Sequence, residues 1–517
     1  MPDETISTGV PPTIHKDVLT IPGTTPASKT LIEHLLEQDL SASSLSSMAW
    51  AEVTLSLLAA YDLGAPADLL RAVFEEDRQD LANVFTSDLP KKVVERQDVE
   101  IHATNWTQYL GQAKYYANFA LFFAGEVKRL GSQEAFEHYA FSAAANDHSV
   151  FMAERFFGGA AHPLIQMGYA FEFNSDAMVV QALAQTAVHE AFQPDAFVWG
   201  GPVPSTPGNV GLHTNGSNAA LSPNTPRRLH ARGQTLFSII REMYDSKALT
   251  PVLPYDADAL LSKRRKDAMI PERTSELRRL VSLWSCTPDL SPSELAARVE
   301  ELFFVAAVVF AGVSKRGRKP RLDFFLMHVL TSSIFVLVLS SSIKSKEARA
   351  KLLNGYLTVV LSYLLLRGRP RIDPELLMSY TATPVPPSQR VKKGDSMPTP
   401  GAVGNSADAA YNNPWPTLVA HALPAHDAHT VKSIRALYIV AQRYGTVPAG
   451  SVIGAFDADG KETHVGTALL DGSVFVRAAG VLLDQLGWVG EGQPEGKWDR
   501  SALGWDAAWD NKDWRMV

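Results

Sequence analysis

Residues 324–343 read FFLMHVLTSSIFVLVLSSSI, twenty positions without a single Asp, Glu, Lys or Arg. A segment this apolar has no polar face to offer water, so other elements must cover it on every side or a bilayer must hold it. Its length is sufficient for a span, and the basic stretch SKRGRKPR just before it is an arrangement that juxtamembrane sequence shares. Against a span stand His328 and Thr331 within the run and the serines that end it. The surrounding chain is patterned as a soluble protein. The reading is therefore a central buried helix around which the fold is assembled, with no membrane partner.

Helical periodicity dominates the remainder. It predicts helices over 48–61, 105–130, 133–144, 147–157, 176–192, 225–244, 275–284, 292–313, 322–342 and 346–366. Gly131 is placed to end the second of these, since glycine adopts the left-handed backbone that closes a helix. Only 451–456 and 464–470 carry a strand signal, enough for a weak pairing near the end of the chain. Residues 200–226 and 383–413 are dense in Pro, Gly, Asn and Ser and read as loops. The expectation is a mainly α protein: a flexible segment 1–30, a large multi-helical catalytic body 31–382, a Pro/Gly-rich loop 383–413, and a small C-terminal extension 414–517 carrying minor β. Four tryptophans, at 498, 505, 509 and 514, are placed to pin that extension to the body.

Composition narrows the function. A net charge of −7 argues against a nucleic-acid binder, which needs a large basic face. One cysteine, Cys286, excludes an internal disulfide and any cysteine-rich metal site, which fits a reducing, cytoplasmic setting. The first thirty residues show no basic stretch followed by an apolar run, so no secretory leader is read there. The sequence has no GxGxxG after a strand, no GxxxxGK[ST], no HExxH and no GxSxG. A flavin in a dinucleotide-binding domain is not expected. Any chemistry must be built from side chains presented on helices.

The candidates for that chemistry are histidines in apolar sequence. His162 and His189 lie in AHPLIQMGYAFEFNSDAMVVQALAQTAVHE, and His328 lies in the central run. A buried imidazole is costly without a partner. Convergence on one metal or catalytic site accounts for all three, and so do three separate packing histidines bonded to backbone or hydroxyls. Pro163 puts His162 at a break before a new turn, and Thr331 and Ser332 lie one turn beyond His328. His189 ends its helix, where the helix dipole favours the imidazolium although metal binding needs the neutral ring. In HDAHTVKSIRAL the pair His426 and His429 has metal-ligand spacing, but Asp427 reads as the cap of an ordinary helix. The cluster Lys315, Arg316, Arg318, Lys319 and Arg321 reads as a solvated loop or a site for an anionic cofactor group.

Taken together, NWTQYLGQAKYYANFALFFAGEV, HYAFSAAANDHSVFMAERFFGGAAHPLIQMGYAFEF, ALAQTAVHE, LDFFLMHVLTSS, LLLRGRP, HDAHTVKSIRAL and DGSVFVRAAGVLLDQLGWV resemble, in order, the questin oxidase-like family of fungal oxidoreductases. HPLIxxGYxxEF is the most specific part. The resemblance implies an oxygenase acting on a polycyclic aromatic polyketide, with dioxygen as co-substrate. The ring oxidation or cleavage is described for the family as Baeyer–Villiger-like with NADPH, and also with non-haem iron. It further implies His162, His189 and His328 as candidate iron ligands. Two positions depart from the family pattern. Leu55-Ser56 stands where a histidine pair is common, and Tyr356, counted with the candidate site residues, stands where a lysine is. Those departures leave a cofactor-free oxygenase, a cyclase-like non-redox tailoring enzyme and a metabolite-binding pseudoenzyme open.

Overall fold

Caps written in the sequence decide where the helices start. In the computed structural model, which describes residues 21–42, 49–86, 96–147, 149–191, 193–197, 232–390 and 411–510, Ser291 and Glu294 cap each other's backbone N–H groups reciprocally. The side chains of Asp323, Ser345 and Asp427 each accept a first-turn N–H in the same role. Eighteen α-helices are present among the described residues. The first half of the chain forms α1 (Pro26–Ala42), α2 (Ala49–Asp62), α3 (Ala67–Thr86), α4 (Tyr116–Leu130), α5 (Ser132–Phe136), α6 (Met152–Phe156), α7 (Gly158–Glu172), α8 (Asp176–Val188) and α9 (Leu236–Asp245). The second half forms α10 (Leu261–Ala268), α11 (Pro271–Leu283), α12 (Pro292–Ala311), α13 (Phe324–Ser342), α14 (Lys346–Leu366), α15 (Pro374–Ser379), α16 (Pro414–Ala422), α17 (Ala428–Tyr444) and α18 (Val474–Leu486).

The charge-free run is α13, and it is enclosed. It packs on α7, α12, α17 and α14, with 72% of its most apolar window buried inside the fold. Its hydroxyls satisfy themselves: Ser332, Ser333 and Ser340 donate to carbonyls three or four residues earlier. The approach of α7 is close because Gly168 has no side chain. A Cβ there would lie 2.2 Å from the Phe335 ring. Behind α7 lies α8, covered in turn by α4, and on the other side α17 joins α13 to α2 and α18.

Buried charges lock these layers. Arg435 of α17 donates to Asp62 at the end of α2 (2.8 Å) and to Glu172 at the end of α7 (2.5 Å), with all three side chains 3% exposed or less. Its guanidinium also lies 5.0 Å from the centre of the Tyr169 ring. Arg367, closing α14, donates to Asp323 at 2.7 Å, so the residue that caps α13 is itself gripped by α14.

Several helices are shorter than their periodicity. The stretch 105–130 contains only α4 and two single turns, because Gly111 takes φ +72° and donates its N–H to Ala187 at the end of α8. The stretch 133–144 divides into α5 and a π-helical turn, Glu137–Phe141. There Glu137 turns to accept the N–H groups of Lys344 and Ser345. Phe151, at φ 49°, delays the start of α6, and α8 stops at Val188 rather than 192. Of 225–244, residues 225–231 and the loop 200–226 lie outside the described residues, and α9 begins at Leu236. So does 391–410 of the loop 383–413. At the N-terminus α1 begins at Pro26, within the stretch expected to be flexible.

The minor β is the part of the expectation that fails. Among the described residues no strand forms, and 451–470 holds one isolated antiparallel bridge, Phe456 to Glu462. Left-handed glycines at 454, 460 and 466 turn the chain too often for a ladder to extend. Trp498, Trp505 and Trp509 are buried as expected of anchors, while Trp514 lies outside the described residues. Trp505 stacks near Tyr255 with Arg264 against both rings, and Trp509 faces Arg321.

Arg435→Met leaves Asp62 and Glu172 buried without their cation and is expected to cost about 3–5 kcal/mol in chemical denaturation; a loss below about 1 kcal/mol would show that the network is dispensable. Glu301, buried beside Arg298, accepts from Trp284 Nε1 and Leu236 N–H, yet burial pushes its carboxyl up to about 7. The unfolded chain therefore releases this proton first, and native stability contributed by Glu301 is lost as pH rises from about 4.5 to 7. Relative to Glu301→Gln, the wild-type melting temperature should fall between pH 5 and pH 8; parallel curves would contradict the assignment.

Candidate functional site

The sequence FFGGAAHP bends α7 sharply before its regular part begins. Gly159, Ala160 and Ala161 all take left-handed backbone angles, φ 54°, 59° and 63°, and Pro163 then opens the right-handed helix. For the two alanines this conformation costs about 1–2 kcal/mol each. Strain of this kind persists only where the surroundings enforce it, and it clusters at functional sites. Here the turn aims His162 back across itself, so that its Nδ1 bonds to the carbonyl of Gly159.

Gly159 is wedged between two histidines. On its other side lies the His189 ring, whose Nε2 would sit 2.2 Å from a Cβ at this position. His189 follows the last turn of α8, its Nδ1 donating to Gln185 O at 2.7 Å and its own carbonyl held by Arg155. His189 Nε2 is buried and has no hydrogen-bond partner among the described residues. Burial holds this imidazole below the ordinary histidine range; the bond to Gln185 opposes that, and nearby His162 and Arg155 reinforce it.

From α13, His328 donates Nδ1 to Phe324 O at 2.8 Å, and its ring meets His162 edge-on with centres 5.4 Å apart. Beyond it stands His429 in the first turn of α17, ring centre 5.2 Å from that of His328, with its Nδ1 on Asp427 at 2.7 Å. Those contacts keep the Asp427 carboxyl low against the burial that would raise it. Phe324 closes this end, 4.9 Å from both His328 and His429. The result is a row running His189, His162, His328, His429.

The hydrogen bonds fix the tautomers. A carbonyl only accepts, so Nδ1 of His162, His189 and His328 must carry hydrogen. In the neutral ring Nε2 is then a lone-pair base. Such a row is suited to taking and handing on protons.

Tyr356 plays no part in it. Its hydroxyl donates to Val329 O and lies 3.1 Å from Ser332 Oγ, tying α14 to the backbone of α13, and burial raises its pKa. Ser56 is buried on α2. Among the described residues no three His, Cys, Asp or Glu side chains stand close enough to hold a metal ion. The backbone of Gly159 covers His189 Nε2, and Tyr356 is spent on α13. As placed, the donor set does not fit iron.

Three of the five basic residues of the cluster are paired with carboxylates, while Arg318 and Lys319 have no ion pair among the described residues. Lys315 pairs with Asp506 at 2.6 Å, Arg316 with Asp373 and Glu375, both at 2.6 Å, and Arg321 with Asp499. Three members of the row, His162, His189 and His328, are legible as candidates in the sequence, whereas His429 reads there as part of a capped helix start. HDAHTVKS does form the capped helix start read there, Asp427 accepting from His429 N–H at 2.9 Å, and the cap is what places the His429 ring against His328.

Comparison with known proteins agrees with this frame. The profile of the family described as questin oxidase-like matches residues 53–437. The chain is 24% identical over 377 residues to a questin oxidase of Aspergillus terreus, covering 72% of this chain and 71% of that one. It is 25% identical to the Baeyer–Villiger oxidase mdpL of Emericella nidulans (63% of this chain, 66% of the other) and 25% identical to the oxidoreductase AflY of Aspergillus parasiticus (63% and 59%).

The lowered His189 predicts a pH effect with a definite sign. Its folded pKa lies below the unfolded value of 6.5, so the stability it contributes is fully present above pH 6.5 and is lost as pH falls below it. His189→Gln is expected to lose less melting temperature between pH 7 and pH 5 than the wild type does. An equal or larger loss would place the proton uptake elsewhere.

Proposed function

The chain belongs to the questin oxidase-like family and is an oxidoreductase on that ground; from this premise we propose that it oxygenates a polycyclic aromatic polyketide with dioxygen. The named relatives include a questin oxidase and Baeyer–Villiger oxidases, which supports a phenolic, quinone-type aromatic as substrate. The observation that carries the reading is the row of imidazoles anchored through Nδ1 to backbone carbonyls. A phenol is a weak acid with a poor reductant ring, whereas its phenolate is electron-rich enough to donate to dioxygen. Removal of that proton is the step a protein can catalyse, and a positioned base contributes about 10²–10⁴-fold.

In this reading His328 and His162 accept the substrate proton at Nε2, and Phe324 and Phe325 supply a half-buried aromatic wall for the flat ring system. Ring cleavage that keeps both oxygen atoms in the product needs no outside electrons. Insertion of one oxygen, as in a Baeyer–Villiger reaction, sends the other to water and needs two electrons, for which NADPH is the donor proposed by family resemblance. This chemistry uses the histidines as bases rather than as iron ligands, since as placed they do not fit that metal.

The test is oxygen uptake by the purified protein with a polyhydroxyanthraquinone, with and without NADPH, before and after treatment with a strong chelator. We expect uptake to survive chelation and to fall at least 100-fold in His162→Ala and His328→Ala, with melting temperatures near wild type. Undiminished uptake in the double variant would remove the histidines from the chemistry. Loss of uptake on chelation, restored by iron alone, would overturn the metal-independent reading.

A further inference from the structure

From His328 outward the row becomes progressively more exposed. His328 is buried, Phe324 and His429 are half-buried, and beyond them the fold presents an exposed arginine, Arg500, whose guanidinium carbon lies 3.5 Å from the centre of the Phe324 ring. Its position is enforced by the backbone. Phe324 N–H donates to Asp499 O and Asp499 N–H to Leu322 O, each at 2.8 Å, a parallel bridge that seats the C-terminal strap on the start of α13. Arg321 holds the Asp499 carboxylate, and Ser501 donates to it at 2.9 Å, so the residues on both sides of Arg500 are tied down. Arg500 itself is not. Among the described residues its guanidinium has no hydrogen bond and no carboxylate within ion-pair distance, although Arg321 and Arg367 nearby donate to carboxylates and Arg264 to backbone carbonyls. Burial lowers its pKa only from a value far above neutrality, so the charge is retained.

We infer that Arg500 is the anchor for the anionic edge of the substrate. The inference rests on the proposed function and specifies which aromatic is taken: a flat ring system carrying two adjacent anionic or strongly accepting oxygens, either a carboxylate or the hydroxyl–carbonyl pair of a peri-hydroxyquinone. A guanidinium is a planar fork of N–H donors that matches such a pair in a bidentate way. Stacking on Phe324 fixes the plane of that fork while leaving its donors unused, which lowers the ordering cost of binding. A ligand gripped there would extend along the face of Phe324 towards His328 and His429. Arg500 is thus a positioning residue for the proton-accepting row. It lies beyond residues 53–437, which the family profile matches.

The experiment is equilibrium titration of the full chain with two matched probe pairs: anthraquinone-2-carboxylate against its carboxamide, and 1,8-dihydroxyanthraquinone against its dimethyl ether. Wild type is expected to prefer the first member of at least one pair, and Arg500→Gln to weaken that member tenfold or more while changing its partner less than threefold. The pair that responds identifies the oxygen source. Arg500→Lys, which keeps the charge without the fork, should recover part of the affinity and serves as the test variant if Arg500→Gln does not fold. With a turned-over substrate the same change should raise KM at least tenfold and alter kcat less than threefold. Equal weakening of both members of each pair, no weakening, or no preference in the wild type would overturn the inference. Selective binding without oxygen uptake would instead leave it standing and remove the proposed function.

Discussion

The ion cluster of Arg435 with Asp62 and Glu172 is the constraint from which the rest of the centre takes its geometry. Three charged side chains are almost fully withdrawn from water, and each comes from the end or middle of a different helix. Burying one cation with two carboxylates is favourable only if the geometry is held tightly, since desolvation of each group costs several kcal/mol. That requirement fixes α17 against α2 and α7 in one register. The two ends of the histidine row depend on it, because His162 stands on α7 and His429 on α17, with α13 between them. Well-packed apolar residues in place of the cluster can leave a stable core, but the register of three helices would lose its most specific lock.

Against that frame α13 is a filler with few options. Its hydroxyls are turned onto its own backbone and its charges are confined to the cap, where Asp323 is met by Arg367. The same features make it pass for a membrane span, and enclosure by α7, α12, α14 and α17 explains the apolarity without one. The mainly helical class and most of the long elements were legible in the sequence because helical periodicity reports burial directly. What was not legible has a shared cause. Gly111, Phe151 and the glycines at 454, 460 and 466 break or bend the chain to meet tertiary partners, such as the Ala187 carbonyl, that a local pattern does not encode.

The site divides along the same line. His162, His189 and His328 stood out because imidazoles in apolar helices demand partners, and each has found a backbone carbonyl. Whether three such residues meet is a question of helix packing, and the sequence left both answers open. His429 was visible in HDAHTVKS but explained away by the very cap that positions it. Arg500 carried no signal at all: its exposure beside Phe324 follows from a bridge between residues 323 and 499, far apart in the chain. Tyr356, singled out by resemblance, proves to be a strut between α14 and α13.

The left-handed turn explains why the histidines face one another rather than a common centre. An ordinary right-handed start to α7 would carry His162 away from the carbonyl of Gly159 and open the space above His189 Nε2. Three left-handed residues instead draw the backbone of Gly159 between the two rings, where even a methyl group would collide. The alanines at 160 and 161 bear the conformational cost, and the reward is a pair of imidazoles whose hydrogen positions are fixed by carbonyls. A metal site asks for lone pairs converging on a point about 2 Å from each. A proton path asks only for neighbouring bases of known tautomer with access to the substrate. The proposed function draws on the bent helix, the backbone-bonded rings and the fall in burial from His328 outward to Arg500 for that second requirement.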